Sequence, residues 1–207
     1  MNSIINTPDN PKATLLLAHG AGAGIDTPFM TTIAEGIAGF DITVVRFEFP
    51  YMTKARTFGK KQLPNANAVL EQAYQTQIQS SIGLLPLFIG GKSMGGRIAS
   101  QIADDQPICG CICLGYPFHP PRNPTKLRTA HLQQISTPVC ILQGTRDPFG
   151  HKEEIIQYSL SSKVELHFLE HGNHSFATRK KDPYRTEDLL QQSSEIAANF
   201  ILKHLPS

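Results

Sequence analysis

The stretch Pro86-Leu87-Phe88-Ile89-Gly90-Gly91-Lys92-Ser93-Met94-Gly95-Gly96-Arg97-Ile98-Ala99-Ser100-Gln101-Ile102-Ala103 changes character at its middle. Its first part is an apolar run of strand length, and its last part puts Ile98 and Ile102 four apart on one helical face. The join is Gly91-x-Ser93-x-Gly95. A strand that enters a helix through this spacing forces the serine into a sharp, strained turn, and the glycines on either side let strand and helix pass closely. The serine oxygen is then expected to stand above a sheet, at the positive end of a helix. Ser93 is therefore the candidate nucleophile. Gly91-Lys92-Ser93 is also the tail of a phosphate-binding loop, but that motif needs a glycine at position 86. Pro86 stands there, with no N–H to offer a phosphate and no access to the glycine conformation.

Partners for the serine follow in the order that such an elbow predicts, an acid and then a histidine. Pro138-Val139-Cys140-Ile141-Leu142-Gln143 reads as a buried strand that runs into Gly144-Thr145-Arg146-Asp147-Pro148. Asp147 thus falls at a strand's C-terminal end, on the sheet edge expected for Ser93. The next strand, Val164–Leu169, exits into Glu170-His171-Gly172-Asn173-His174-Ser175-Phe176. Of the eight histidines, His19, His119 and His131 precede Asp147, His151 and His204 bound helices, and His167 lies inside a strand. His171 and His174 remain as the base, with Asp147 fixing the tautomer of whichever it is. An oxyanion hole needs two backbone N–H groups. Met94, after the nucleophile, is expected to give one. Ala21 or Gly22, in the loop His19-Gly20-Ala21-Gly22-Ala23-Gly24 after the strand Thr14–Ala18, is expected to give the other. That loop also resembles a dinucleotide fingerprint, but its last glycine position holds Ile25, and the following helix starts beyond Asp26-Thr27-Pro28.

At 207 residues, with 40% hydrophobic and 17% charged residues, the chain is expected to form one domain, residues 1–207, with a single sizeable core. The net charge of +2 gives no reason to expect a nucleic-acid partner. No apolar run reaches the 18 residues of a membrane span, and the N-terminus lacks the pattern of a signal peptide. Cys109, Cys111 and Cys113 alternate along one strand, a spacing that suits neither a zinc site nor a redox pair. With Cys140 they read as small buried thiols, consistent with a reducing, cytoplasmic setting, and no metal or cofactor is expected.

Strands are expected near 13–19, 42–49, 86–91, 108–115, 138–143 and 164–169, and helices near 28–38, 65–80, 94–105, 126–135, 152–159 and 186–204. This alternation predicts an α/β fold, a mostly parallel sheet of about six strands with helices on both faces and no large lid. The site then lies beyond the strands' C-terminal ends.

The sequence resembles the alpha/beta-hydrolase superfamily in a minimal form without the antiparallel strands that usually open it. Gly172-x-His174-x-Phe176 resembles the histidine loop of dienelactone-hydrolase-like enzymes, and that likeness selects His174 as the base. A narrower resemblance lies in His19–Gly24, Arg46-Phe47-Glu48-Phe49-Pro50-Tyr51-Met52, Gly90–Arg97, Gly115-Tyr116-Pro117-Phe118-His119-Pro120-Pro121 and Gln143–Gly150. It points to a little-characterised branch with small bacterial proteins, a testis-expressed animal protein and a subunit of a nuclear histone acetyltransferase complex. The resemblance implies a hydrolase fold and a Ser-His-Asp triad. Many such relatives carry an acidic residue where this chain has Asn173 or Ser175.

Two function classes follow. One is a serine hydrolase of carboxylic esters or thioesters, working through an acyl-enzyme on a small-molecule ester. The other is a hydrolase fold used as a binding or scaffold module. Lys54 and Arg56 on one expected loop, and Arg179 and Lys180 on another, make an anionic acyl substrate a reading to set against a merely solvated basic surface. His119 and its neighbouring prolines are further candidates for the acyl pocket. Arg46 and Glu48, in a strand expected to be buried, should pair with each other or brace the loops.

Overall fold

Ala13-Thr14-Leu15-Leu16-Leu17-Ala18 is apolar at nearly every position, the pattern of a strand covered on both faces. In the computed structural model, which describes residues 2–83 and 85–206, it is a central strand, β2. Leu16 and Ala18 enter one core, whereas Ala13, Leu15 and Leu17 enter another on the opposite face.

The elements run β1 Ser3–Asn6, β2 Ala13–Ala18, α1 Pro28–Ala38, β3 Ile42–Phe47, α2 Pro50–Phe58, α3 Asn67–Ser81, β4 Leu87–Lys92, α4 Met94–Ile102, β5 Gly110–Leu114, β6 Val139–Gly144, α5 Lys152–Ile155, β7 Val164–Leu169 and α6 Thr186–Lys203. They form one seven-stranded sheet in the order β1-β3-β2-β4-β5-β6-β7. All neighbours are parallel except β1, which pairs antiparallel with β3. The chain winds outward from β2 to β3, then returns to lay β4 on the other side of β2. A crevice opens at that reversal, above the strands' C-terminal ends. Helices α1 and α6 supply the core on one face, through Met30, Ile33, Ala197 and Ile201 among others. Helices α3 and α4 supply the other, through Leu70, Tyr74, Ile98 and Ile102. Among the described residues no helix is long and apolar enough to cross a membrane.

The structure corrects several expectations. An antiparallel strand does open the fold, so the sheet has seven strands rather than about six. Residues 50–58, expected to be a loop, form α2, with Pro50 in its first turn and Gly59 as a left-handed C-cap at φ +62°. Only a short 3₁₀ turn, His131–Gln133, occurs within 126–135, because much of the backbone there bonds outside the segment, to the loop after β5 at one end and to Ser161 at the other. The ties to that loop are Arg128 N–H to the Phe118 oxygen and Tyr116 hydroxyl to the Arg128 oxygen, each at 2.8 Å. Helix α5 is one turn long, not the eight residues of 152–159. Cys111 and Cys113 share a core face, but Cys109 precedes β5, is half-buried and packs into the opposite core. Arg46 and Glu48 take the second of the two roles expected of them: they do not pair with each other but brace neighbouring segments. Arg46 donates to the Ile25 oxygen and the Thr31 hydroxyl at 2.8 Å each, whereas Glu48 accepts from Arg56 at 2.8 Å.

Candidate active site

Ser93 follows the last residue of β4 and N-caps α4 with φ +51° and ψ −113°. This backbone is unusual for a residue with a side chain. It is held by close approach on both sides. A Cβ on Gly91 would lie 2.6 Å from the Ala18 oxygen, and one on Gly95 2.6 Å from the same atom and 2.7 Å from the His19 oxygen. Only glycine fits between the elbow and the end of β2. The Ser93 N–H donates to the Leu114 oxygen at 2.9 Å, which fixes the turn against β5.

His174 lies in the loop after β7. Its Nδ1 is 2.7 Å from Asp147 Oδ2, and its Nε2 is 2.9 Å from Ser93 Oγ. The carboxylate only accepts, so the imidazole proton sits on Nδ1 and Nε2 is free to accept from the serine hydroxyl. His171, the other histidine of this loop, turns away. It has φ +62°, and its Nδ1 is 3.5 Å from Asp182.

Asp147 is wholly buried at the end of β6. Besides His174 it accepts from Gln143 Nε2 and from the Phe149 N–H, each at 2.9 Å. Phe149 also packs against the imidazole, with ring centroids 4.4 Å apart. The histidine loop is tied to the Asp147 loop by Arg146, which donates to the His171 and Ala177 oxygens at 2.8 and 3.1 Å. Asn173 shapes the loop from within, its Oδ1 accepting from the Ser175 and Ala177 N–H groups.

The loop after β2 is clamped from below. His19 is buried, with Nδ1 2.7 Å from the Gly20 oxygen and Nε2 accepting from the Phe49 N–H at 3.1 Å. Burial holds its pKa below the ordinary histidine value, which favours the neutral ring that this pair of bonds requires. The Tyr51 hydroxyl, carried on α2, lies 3.1 Å from the carbonyl oxygens of both Gly20 and Ala21.

These pieces enclose a cavity of about 440 Å³, lined by residues 20–24, Thr27 to Met30, Lys92, Ser93, Phe149, His174 and Ser175. Ser93, His174, Ala21 and Gly22 meet there, and Met94 begins the helix under the serine. The structure does not bring Lys54, Arg56, His119, Arg179 or Lys180 to this cavity. Lys54 and Lys180 are exposed. Arg56 is engaged by Asp26 at 3.0 Å and Glu48 at 2.7 Å, and Arg179 by Asp182 at 2.8 Å. His119 is buried, with Nε2 2.8 Å from Glu154 and Nδ1 3.0 Å from the Pro120 oxygen. Among the described residues, no three His, Cys, Asp or Glu side chains gather into a metal site.

Gln143, Phe149, Tyr51 and Lys92 belong to the site without having been singled out by sequence reasoning. Gln143 did carry a signal, since a glutamine closing a buried apolar run needs a polar partner. Phe149, Tyr51 and Lys92 carried none that residue type or spacing could reveal.

A family model described as an alpha/beta hydrolase domain matches residues 11–202. Among solved structures, an alpha-beta serine hydrolase homologue from Coxiella burnetii is similar at TM-score 0.72 and 18% identity, over 95% of this chain and 89% of that one. A dienelactone hydrolase from Anabaena variabilis gives 0.73 and 16%, over 99% and 92%. A Xanthomonas campestris protein described as an a/b serine hydrolase without lid gives 0.72 and 15%, over 99% and 89%. At these identities the likeness is one of fold, and among the described residues of this chain no large lid-like insertion occurs.

Proposed function

This chain belongs to the alpha/beta hydrolase domain family, and from that premise we propose that it is a serine hydrolase of carboxylic esters or thioesters. The carrying observation is the unbroken relay from Ser93 Oγ through His174 to Asp147, at 2.9 and 2.7 Å. Ser93 Oγ attacks the acyl carbonyl carbon while its proton passes to His174 Nε2. The oxyanion is met by the N–H of Met94 and that of Ala21 or Gly22, each such donor contributing about 10²–10³ in rate. Collapse expels the alcohol or thiol, which takes the proton from Nε2. Water then attacks the acyl-enzyme by the same path in reverse, giving the acid and restoring the serine.

A binding or scaffold role needs neither a strained serine nor a buried carboxylate facing three donors, and both of these cost stability. The same geometry bears on the substrate. Phe29, Met30, Phe149 and the alanines and glycines of the 20–24 loop surround the nucleophile, and the loop cations lie elsewhere. An uncharged, apolar acyl group suits those walls.

A fluorophosphonate probe should label Ser93 in the wild-type protein and leave Ser93→Ala unmodified. Purified protein should hydrolyse short p-nitrophenyl esters, and Ser93→Ala or His174→Ala should lower turnover by at least about 10³-fold. His171→Ala should retain most of the activity. Undiminished turnover in Ser93→Ala would remove the nucleophile and with it this reading. Loss in His171→Ala alone would instead move the base by three residues.

A further inference from the structure

The chemistry just proposed gives Lys92 no task, yet its placement is costly. It is the last residue of β4, immediately before the nucleophile, and is only 8% exposed. An ammonium enclosed in apolar surroundings is unfavourable unless it is well partnered. Its Nζ donates to the backbone oxygen of His174. It also lies 5.2 Å from the centroid of the Phe29 ring and 5.7 Å from that of Phe176, two rings that pack on each other at 5.4 Å. Attraction between a cation and ring faces offsets part of the lost hydration. Room for the contact is kept by Gly115, whose φ is +64°. A Cβ there would stand 2.8 Å from both Lys92 Nζ and the His174 oxygen.

On the Asp147 side the histidine loop is tied by Thr145, Arg146 and the Asp147 carboxylate itself. On the serine side, beside the contact of the imidazole with Ser93 Oγ, Lys92 holds the backbone. The residue beside the nucleophile thereby holds the backbone of the residue that must accept its proton. We propose that Lys92 is a positioning residue for His174, fixing the imidazole over Ser93 through its hydrogen bond to the His174 carbonyl oxygen. The assignment rests on the reading of His174 as the base.

The test compares wild type with Lys92→Met, Lys92→Leu and Lys92→Arg, each assayed with p-nitrophenyl acetate well below its melting temperature. The far-downfield proton resonance of the His174 Nδ1–Asp147 hydrogen bond is followed in parallel. The two donor-free variants should lose about 10- to 100-fold in kcat, the range expected for a misplaced catalytic group, with KM within about threefold. Their downfield resonance should shift or disappear, whereas Lys92→Arg, which keeps a donor, should recover a substantial part of both. If one donor-free variant does not fold, the other decides. An unchanged resonance in the donor-free variants would overturn the proposal, as would kcat within twofold of wild type. If the wild type turns over no ester, the hydrolase reading fails, and the resonance alone still decides whether Lys92 positions His174.

Discussion

Ser93 at φ +51° and Lys92 in apolar enclosure are adjacent residues, and each works against the stability of the fold. A side chain at such a φ costs on the order of 1–3 kcal/mol. For Lys92 the cost can be read through pH. Burial pushes its pKa from the ordinary 10.5 down to about 7, and the facing Asp147 charge restores only part of the loss. Below about pH 7 the folded and unfolded states both hold the lysine proton, and the folded state bears the whole penalty of a buried charge. Between about 7 and 10.5 the unfolded chain keeps the proton and the folded chain releases it, so stability rises with pH. Lys92→Met lacks this contribution, whereas every other titratable group is common to both proteins. Urea denaturation at pH 6.5 and 9.5 should therefore show wild type gaining on Lys92→Met by roughly 1.4 kcal/mol per pH unit across the window. A difference that stays flat would mean that Nζ reaches water, and the buried contact with the histidine loop would go with it.

Legibility in the sequence divides at the level of elements, and the divide follows burial. Strands such as β2, β4 and β6 are covered on both faces, and their continuous apolar runs gave their positions to within a residue or two. Helices α1 and α6 bury a periodic stripe, and their bounds were nearly those expected. The edge strand β1 leaves Ser3, Ile4 and Ile5 exposed, so no alternation marks it, and α2 buries only Tyr51, too little for a period to show. The converse failure is 126–135, where Leu132 and Ile135 are buried at helical spacing but the backbone takes distant partners, Arg128 in residues 116–118 and the Leu132 and Ile135 oxygens in Ser161. In the site, motif spacing, chain order and loop position pointed to Ser93, Asp147 and the pair His171 and His174, with the family resemblance choosing His174, while Gln143, Tyr51 and Lys92 act through tertiary contacts that no local pattern encodes. Tyr74 is a further instance. From α3 its hydroxyl reaches between β2 and β4, 2.8 Å from the Leu16 oxygen and 2.5 Å from the Gly90 oxygen, and accepts from the Gly90 N–H at 2.9 Å. Tyr74→Phe would leave these buried backbone groups without that partner in the strand that carries the elbow. Chemical denaturation should show a loss of about 1–3 kcal/mol. A loss under half a kcal/mol would mean that the two strands close over the gap unaided.

Across the whole molecule the charges are placed so that few of them face the site. The net charge is +2, and the basic residues that made an anionic substrate plausible are paired or set apart from the cavity. Arg56 spans Asp26 and Glu48 beneath the 20–24 loop, and Arg179 closes on Asp182. Lys54 and Lys180 stay in solvent, where their fields are screened. Lys92 is the cation among the cavity's lining residues, and its nitrogen is occupied by the His174 oxygen. A carboxylate on the acyl group would have to give up its hydration against Phe29, Met30 and Phe149. Burial lowers the Lys92 pKa to about 7 and so weakens that cation's charge at neutral pH and above. A neutral p-nitrophenyl ester should thus be hydrolysed with higher kcat/KM than a carboxylate-bearing ester of equal size. Raising salt from 0.1 to 1 M shortens the Debye length from about 10 to about 3 Å, which would suppress any steering by exposed lysines. The ratio of the two kcat/KM values should nonetheless change by less than about twofold, because with so little steering there is little to screen. Charge reversal by Lys54→Glu or Lys180→Glu should also leave that ratio in place. A steep fall with salt confined to the anionic ester, reproduced by either reversal, would return the basic loops to substrate recognition.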